Sequence, residues 1–184
     1  SREITYFDSY GMTFENGPNQ PFVFSNGPGI AVDVDITASK NEVWDLMTDI
    51  NFGSKFSNEF VGANWDEESP SLKLGDTFTG RNQNEHIGEW TAKCTIDVLE
   101  SGRLFGWCTG DVSTPGARWR YELYDLGGTI RVRHRVILGP GESGLTRIIA
   151  ENPQNEAKII RNRLSALRHN MQMVLDGMKA SLED

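Results

Sequence analysis

Positive charge is scarce in this sequence. The chain contains 18 Lys and Arg residues against 26 Asp and Glu residues, so its formal net charge is −8 and its pI is about 4.9. No run of basic residues occurs along it. Proteins that bind nucleic acid or anionic membranes carry basic patches, and we therefore expect neither as a partner.

Long apolar stretches and cysteines are also few. No segment approaches the roughly 20 apolar residues of a membrane span, so we predict no insertion into a membrane. No signal-peptide pattern is visible, and the two cysteines, Cys94 and Cys108, are too few for a disulfide framework. We expect a cytoplasmic protein whose two thiols are free.

Familiar cofactor and catalytic motifs are missing as well. The sequence has no Gly-rich phosphate loop and no Gly-x-Ser-x-Gly elbow. Its three histidines, His86, His134 and His169, fall on a predicted loop, strand and helix, and none has a carboxylate at ligand spacing beside it. We therefore expect no metal ion and no cofactor.

An N-terminal arm precedes the regular part of the chain. Residues 1–29 are rich in Gly, Pro and Asn, which is typical of loops, but they carry six large aromatic residues, which argue against disorder. We predict that this arm is ordered and packs on the body of the protein or on a second subunit, as in a homodimer. The six aromatic residues are Tyr6, Phe7, Tyr10, Phe14, Phe22 and Phe24.

The remainder, residues 30–184, is predicted to form one α+β domain. The segment IAVDVDI (30–36) alternates as a half-exposed strand does. Ser39 and Glu42 form a capping-box pattern that begins a helix, and residues 51–60 predict a second, short helix. Closely spaced strands joined by Gly turns come next and indicate an antiparallel meander.

A long helix is predicted at the C-terminus. Asn152 fits an N-cap with Pro153 at the first helical position, and the apolar spacing continues for about 25 residues. Its apolar side should pack on the concave face of the sheet. That side consists of Ile160, Leu164, Leu167, Met171, Val174 and Met178.

Hairpin geometry predicts which side chains share a face of the sheet. A two-residue turn at Ser101 and Gly102 puts the apolar residues of both strands on one side, which supports this register. Cys94 then lies inside and Cys108 outside, so a disulfide between them is geometrically implausible, and we expect Cys108 to be the more accessible thiol unless the arm covers it. The predicted pairs are Val98 with Phe105, Ile96 with Trp107 and Cys94 with Thr109.

One histidine lies among apolar residues in the segment TIRVRHRVIL (129–138). Strand alternation turns His134 toward the core, opposite Trp119 or Tyr121 on the preceding strand. His134 could be a core-edge residue hydrogen-bonded to a neighbour, a polar contact to a ligand, or a general acid or base. The opposite face carries Arg131, Arg133 and Arg135, which, with Arg81, we expect to lie in solvent and to pair with acidic residues.

The predicted inner wall is aromatic with a few polar points. Walls of this kind are typical of cavities that bind small apolar molecules. His134 and Tyr121 are the candidate catalytic residues. The predicted ligand-binding residues are Phe56, Phe78, Asn82, Trp90, Trp107, Thr109, Trp119, Tyr121, His134 and Met171.

Several motifs occur in an order that is typical of one superfamily. They are VDITASKNEVWDLMTDI, GDTFTGRNQNEHIGEW, GRLFGW, WRYEL followed by GGT, and RNRLSALRHNMQMVLDGMK. Over residues 30–180 the chain resembles the START-like, or birch-pollen-allergen-like, superfamily and its bacterial polyketide cyclase/dehydrase branch. This resemblance implies a helix-grip fold. In that fold, a curved antiparallel sheet of about seven strands wraps around a long C-terminal helix, two short helices follow the first strand, and a cavity lies between sheet and helix.

The resemblance also implies a small hydrophobic ligand, polyketide-like or lipid-like, and leaves three functions open. The first is a cofactor-free polyketide cyclase, aromatase or dehydrase, in which Asn82, Tyr121 and His134 would donate hydrogen bonds that polarise carbonyl groups. The second is a non-catalytic carrier or sensor. The third is a protein-interaction module with a vestigial cavity. A clear cavity with converging polar groups would favour the first function, one without them the second, and a cavity filled by side chains the third.

Overall fold

The strands come from nearly the whole length of the chain. The structure, a computed structural model, describes residues 22–68 and 72–183 together with the backbone of two short paired strands, β1 (Tyr6–Phe7) and β2 (Thr13–Phe14). All other described strands form one antiparallel sheet of seven. They are β3 (Gly29–Ile36), β4 (Phe60–Trp65), β5 (Thr77–Asn84), β6 (Gly88–Glu100), β7 (Leu104–Thr109), β8 (Ala117–Asp125) and β9 (Ile130–Leu138).

The first strand of this sheet along the chain, β3, pairs with the last one, β9. The strand order is β3-β9-β8-β7-β6-β5-β4, so β7 is the central strand and β4 lies at one edge. Every pair from β4 to β9 is an antiparallel neighbour in sequence, which is the predicted meander. The predicted α+β sheet of about seven strands is confirmed.

The alternation of β9 separates an apolar face from a charged one, as predicted. Its inward residues are buried, including His134 at 5% exposure. On the outward face, Arg131 and Arg133 each hold an aspartate of β3 through two hydrogen bonds. The outward ion pairs are Arg131 with Asp35, Arg133 with Asp33, and Arg135 with Glu122. Arg135 is nevertheless buried on this face, so the expectation that it lies in solvent is wrong.

The two short helices after β3 are confirmed. Helix α1 (Lys40–Met47) is capped by Ser39, whose hydroxyl accepts a hydrogen bond from the Glu42 amide. A single 3-10 turn (Phe52–Lys55) follows and buries Phe52. A third helix, α2 (Gly144–Glu151), was not predicted, because the preceding segment, residues 139–144, has the Gly and Pro content of a loop.

The long C-terminal helix, α3 (Glu156–Glu183), contains 28 residues. It begins after a 3-10 turn (Pro153–Asn155) and buries all the residues of its predicted apolar side. Near its C-terminal end, the Lys179 ammonium donates to the Asp35 carbonyl at 2.6 Å, and the Thr37 amide donates to Glu183 at 2.8 Å. The helix therefore lies along β3, with a smaller contact to β9.

The predicted register of the hairpin between β6 and β7 is only partly correct. Ile96 faces Trp107 and Cys94 faces Thr109, as expected, but Phe105 faces Leu99 rather than Val98. The turn contains three residues instead of two, and the register shifts by one residue between Ile96 and Val98. The extra turn residue and the bulge each shift the predicted register by one residue. The two shifts are opposite, so the predicted pairs are correct again from Ile96 onward, away from the turn.

Two further expectations had different outcomes. Both cysteines are free, as predicted. Cys108 is 0% exposed and Cys94 4%, so Cys108 is not the more accessible thiol. The side chains of Tyr6, Phe7 and Phe14, and the whole of Tyr10, lie outside the described residues. In the described end of the arm, Phe22 is buried and packs under the Arg161 guanidinium at 4.8 Å, while Phe24 is partly buried. The division of the chain at residue 29 stays a prediction.

We predict that Leu164→Ala lowers the free energy of unfolding by about 2–5 kcal/mol. Leu164 is 1% exposed against the sheet, and truncation of a buried leucine removes apolar contacts and leaves a cavity. Urea unfolding followed by circular dichroism measures the change. The control is Ser165→Ala on the exposed side of α3, which should change stability by less than about 0.5 kcal/mol. Equal effects of the two substitutions would contradict the described orientation of α3.

We predict that both thiols react with an aromatic disulfide reagent only after unfolding. Burial raises the pKa of Cys94 to about 12 and also raises the pKa of Cys108, and the thiolate is the reactive form. Reaction of the native protein should be slow, and reaction in guanidinium should be fast and release two equivalents, one for each cysteine. A fast native reaction, or an intact mass two hydrogens below the reduced value, would contradict this prediction.

Candidate functional site

The inner face of the sheet is unevenly covered. Toward one end its residues are buried; this region, which we call the filled half, includes Ile96, Phe105, Tyr121, Leu123 and Val132. Toward the other end several inward residues of β6, β7 and β8 stay partly exposed. This region, which we call the open half, consists of Trp90, Ala92, Trp107, Thr109, Ala117 and Trp119.

Trp107 is at the centre of an aromatic wall. It lies on the central strand, and its ring is stacked on Trp119 at 6.1 Å with an angle of 9° between the planes. The ring of Tyr121 lies 6.0 Å away, that of His134 6.2 Å away and that of Phe78 5.8 Å away. The structure thus brings together Phe78, Trp107, Trp119, Tyr121 and His134, five of the predicted ligand-binding residues.

His134 faces Tyr121, one of its two predicted neighbours. The two rings are parallel to within 9° and their centroids are 3.8 Å apart. The His134 Nδ1 atom lies 2.9 Å from the backbone carbonyl oxygen of Arg120. A carbonyl oxygen can only accept, so Nδ1 carries the proton and donates to it. The structural role that we considered for His134, a hydrogen bond to a neighbour, therefore exists.

This hydrogen bond determines what the other ring nitrogen can do. Nδ1 and Nε2 lie on different edges of the imidazole, so with Nδ1 directed at the backbone of β8, Nε2 points away from the sheet. Within the described residues, Nε2 makes no hydrogen bond. In the neutral ring it carries a lone pair and is an acceptor. The expectation that His134 donates a hydrogen bond to a carbonyl group is therefore not supported.

Burial keeps both rings of this stacked pair in their neutral forms. Desolvation lowers the pKa of His134 from 6.5 to about 4, although the hydrogen bond to Arg120 opposes the shift. Desolvation also raises the pKa of the Tyr121 hydroxyl well above its usual value. At neutral pH the wall therefore presents a neutral imidazole and a neutral phenol.

The outer face of the sheet holds the Arg120 carbonyl in place. The Arg120 guanidinium forms two hydrogen bonds with Asp97, at 2.9 and 3.0 Å, and donates to the carbonyls of Trp107 and Trp119. Its side chain crosses Gly106, where a Cβ atom would lie 2.6 Å from Arg120 Cδ. Sequence reasoning did not identify this pair, because Asp97 lies on β6 and Arg120 on β8, two strands that are not neighbours in the sheet.

The other predicted site residues lie apart from the aromatic wall or at its rim. Asn82 pairs with Trp90 at the tip of the β5–β6 hairpin, and both are partly exposed. Phe56 packs instead on α3, where a Cβ atom at Gly177 would overlap its ring. Met171 is buried on α3, and Thr109 is partly exposed at the end of β7. Whether these residues contact a ligand stays a prediction.

An ion pair joins α3 to the sheet near the start of β4. Arg163 of α3 forms hydrogen bonds of 2.8 and 2.5 Å with the carboxylate of Glu59, next to the start of β4. Beside it, the Asn58 amide donates to the Asn170 side chain at 2.7 Å. Glu59 also accepts the Gln83 amide through its carbonyl, which places the ion pair close to Asn82. Sequence reasoning missed this pair, because Glu59 and Arg163 are far apart in the chain.

A surface pocket of about 650 Å³ lies beside the same hairpin. Its lining is polar and contains none of the residues of the aromatic wall, so it does not suit an apolar molecule. The described residues, 22–68 and 72–183, contain no group of three His, Cys, Asp or Glu side chains that could hold a metal ion. The lining of the pocket is Asn58, Gln83, Asn84, Glu85, His86, Gly88 and Glu89.

We predict that His134 makes the protein less stable as the pH falls from about 6.5 to about 4. The unfolded chain takes up a proton near pH 6.5, whereas the folded chain does so only near pH 4, so acid favours unfolding by up to about 3 kcal/mol. The contribution of neutral His134 to the free energy of unfolding is therefore fully present above pH 6.5 and fully lost below pH 4. Denaturant unfolding at several pH values measures it.

The carboxylates also titrate in this range, so the comparison uses His134→Leu. The pH dependence of the variant should be shallower than that of the wild type between pH 6.5 and pH 4. His169→Leu, a change of an exposed histidine on α3, is the control and should leave the wild-type slope. Identical slopes for wild type and His134→Leu would show that His134 is protonated as easily in the folded chain as in the unfolded one.

Comparison with known proteins places the fold. No protein-family model and no curated protein sequence matches the chain. Among solved structures, a polyketide-cyclase-like protein of Corynebacterium glutamicum is similar, with 23% identity and a TM-score of 0.57 over 83% of this chain and 90% of that one. The Zhui aromatase/cyclase of Streptomyces sp. R1128 has 12% identity and a TM-score of 0.57 over 84% and 93% of the two chains.

A plant protein shares the same architecture. The major latex-like protein 151 of Panax ginseng has 8% identity and a TM-score of 0.57, and the similarity covers 84% of this chain and 96% of that one. No helix among the described residues is long and apolar enough to cross a membrane. The seven-stranded antiparallel sheet and the long α3 helix, together with these neighbours, show that the chain has a helix-grip fold, which it shares with these proteins.

Proposed function

We propose that this protein binds a small hydrophobic or aromatic molecule between α3 and the open half of the sheet. The observation that carries the proposal is the partial exposure of Trp107 and Trp119. Trp107 lies on the inner face of the central strand, with three strands on either side of it. A large aromatic residue at such a position would be buried if side chains of the described core filled the space above it.

The chemistry of the open half supports a neutral, apolar ligand. None of its residues is charged, because the arginines of β8 and β9 all lie on the outer face. The parallel Trp107 and Trp119 rings offer flat surfaces to which a planar molecule can stack. The few polar groups nearby, such as Thr109 and His134, are of the kind that orient a ligand. A polyketide-like or lipid-like ligand fits this wall.

Binding without turnover is the function that the geometry supports best. A general acid or base works best with a pKa near the working pH, but burial moves the pKa of His134 down and the pKa of Tyr121 up. Burial also raises the pKa of the Cys94 thiol to about 12, which suppresses its reactivity. These shifts favour a carrier or sensor.

A cofactor-free cyclase, aromatase or dehydrase is the second candidate. The observation in its favour is the convergence of His134 and Tyr121, whose rings are stacked 3.8 Å apart at the edge of the open half. The similar aromatase/cyclase of Streptomyces adds to this alternative at the level of the fold. Turnover of an added polyketide analogue that is lost in Tyr121→Phe, with binding retained, would favour the enzyme over the carrier.

We predict that Ala92→Phe abolishes binding of an apolar probe without unfolding the protein. Ala92 is partly exposed on the inner face and lies opposite Gly80, so a phenyl ring at this position would extend into the proposed space. The measurement is a fluorescence titration with N-phenyl-1-naphthylamine, a neutral probe, with the melting temperature recorded in parallel. The native wild-type protein should also release a bound molecule on extraction, which mass spectrometry detects.

The matched control is Thr91→Phe. Thr91 is the neighbouring residue of β6 and is exposed on the outer face, so the same ring is added on the other side of the sheet. This variant should bind the probe as the wild type does. If the wild-type protein does not bind the probe, or if Ala92→Phe binds it equally well, the space is filled and the interaction-module alternative is favoured.

A further inference from the structure

We infer that His134 selects ligands that carry a hydroxyl group, by accepting a hydrogen bond at Nε2, and that it does not select carbonyl compounds. The inference rests on the proposed binding function and specifies the ligand class of the same site. The class is neutral aromatic molecules with a phenol or enol O–H group. A ligand whose polar atoms are only carbonyl or ether oxygens has nothing to donate to this nitrogen.

The first step of the argument is the tautomer of the ring. Nδ1 lies 2.9 Å from the Arg120 carbonyl oxygen, which has no proton to give. The N–H of the neutral imidazole therefore lies on Nδ1, and Nε2 has only its lone pair. The opposite tautomer would place two acceptors against each other, which leaves a buried polar group unsatisfied.

The second step is the rigidity of this arrangement. The Arg120 backbone is fixed by the β7–β8 and β8–β9 ladders, where it pairs with Gly106 and Arg135. The Arg120 guanidinium is fixed in turn by Asp97 and by two strand carbonyls. The imidazole is held between this carbonyl and the parallel Tyr121 ring. A half-turn of the ring about the Cβ–Cγ bond would leave it parallel to Tyr121 but would lose the hydrogen bond to the Arg120 carbonyl.

The third step concerns the position of the acceptor. The His134 ring centroid lies 5.5 Å from that of Trp119 and 6.2 Å from that of Trp107, the two rings on which a planar ligand would stack. Nε2 points away from the sheet backbone and has no hydrogen-bond partner among the described residues. A planar molecule on the tryptophans would therefore have its edge within reach of His134, so a hydroxyl on that edge could donate to Nε2.

Neutral imidazole also argues against anionic ligands. A carboxylate or phenolate needs a donor or a positive charge, and the burial that keeps His134 neutral removes that option near pH 7. The charged groups on β9 and on its neighbours β3 and β8 are Arg131, Arg133, Arg135, Asp33, Asp35, Arg118, Arg120, Glu122 and Asp125. The arginines that form ion pairs do so on the outer face. Asp125 lies at the far end of β8, where it accepts a hydrogen bond from the Gly127 amide.

The experiment compares three naphthalenes that differ at one substituent. They are 2-naphthol, 2-methoxynaphthalene and 2-acetylnaphthalene, measured by displacement of N-phenyl-1-naphthylamine at pH 7. The naphthol should bind about 3- to 10-fold more tightly than the other two in the wild type, which corresponds to one neutral hydrogen bond. In His134→Leu this advantage should disappear, while the methoxy compound binds as before. In Thr109→Val, which removes another polar group of the same wall, the advantage should remain.

Long-range proton–nitrogen NMR of the wild-type protein provides a readout that needs no substitution. The free protein should show Nδ1 as the protonated nitrogen of His134 and Nε2 as the unprotonated one. Addition of 2-naphthol should shift the Nε2 resonance, and addition of 2-methoxynaphthalene should not. The opposite tautomer, or a naphthol advantage that survives in His134→Leu, would overturn the inference.

The outcomes distinguish this inference from the proposed function. If the neutral probe binds and the three naphthalenes displace it equally, the binding function stands and the hydroxyl selectivity is wrong. If the acetyl compound binds most tightly and loses its advantage in His134→Leu, the histidine acts as a donor and the inference is reversed. If no naphthalene and no probe binds the wild type, both are overturned.

Discussion

The pairing of β9 with β3 on one side and β8 on the other is the constraint on which the rest of the structure depends. This strand has arginines on one face and apolar residues with His134 on the other. A slip of one residue would turn the arginines toward the core, and the ion pairs with Asp33, Asp35 and Glu122 exist only in the observed register. Because β3 comes first and β9 last among these seven strands along the chain, the same pairing adds β3 at the edge of the sheet, and α3 lies along β3.

The register of β9 determines the chemistry of the candidate site. The β8–β9 ladder places His134 beside Tyr121 and under the carbonyl of Arg120, and this contact decides which ring nitrogen carries the proton. The outer face contributes as well, since Arg120 is held there by Asp97 across the space that Gly106 leaves open. The charged outer face and the neutral inner face are therefore parts of one arrangement.

The sequence allowed the fold to be predicted because its local signals agree with one another. The alternation of β9, the Ser39 cap and the apolar spacing of α3 each indicate the same sheet-and-helix packing. Features that depend on distant parts of the chain were not predictable. Phe56 packs on Gly177 rather than on the aromatic wall, and Cys108 is covered on the outer face. Helix α2 was missed because it is only 8 residues long and begins with a glycine next to a Gly-Pro segment.

The residues of the candidate site were predictable from the sequence, but the hydrogen-bonding role of His134 was not. Periodicity alone brings Trp107, Trp119 and His134 to one face, and the structure confirms that grouping. Whether His134 donates or accepts depends on a single carbonyl of the neighbouring strand, and no sequence pattern encodes that contact.

The direction of this hydrogen bond matters because desolvation favours the neutral forms of His134, Tyr121 and Cys94 on the inner face of the sheet. Desolvation lowers the pKa of His134 and raises the pKa of Tyr121 and of Cys94, so each neutral form is favoured. The same dryness that makes the wall suitable for an aromatic ligand thus makes it unsuited to proton transfer near neutral pH. A chain that turned its ligand over here would need the ligand to raise the pKa of His134 or to lower the pKa of Tyr121. A neutral aromatic hydroxyl does neither, and so binding and release account for this wall with fewer requirements than catalysis does.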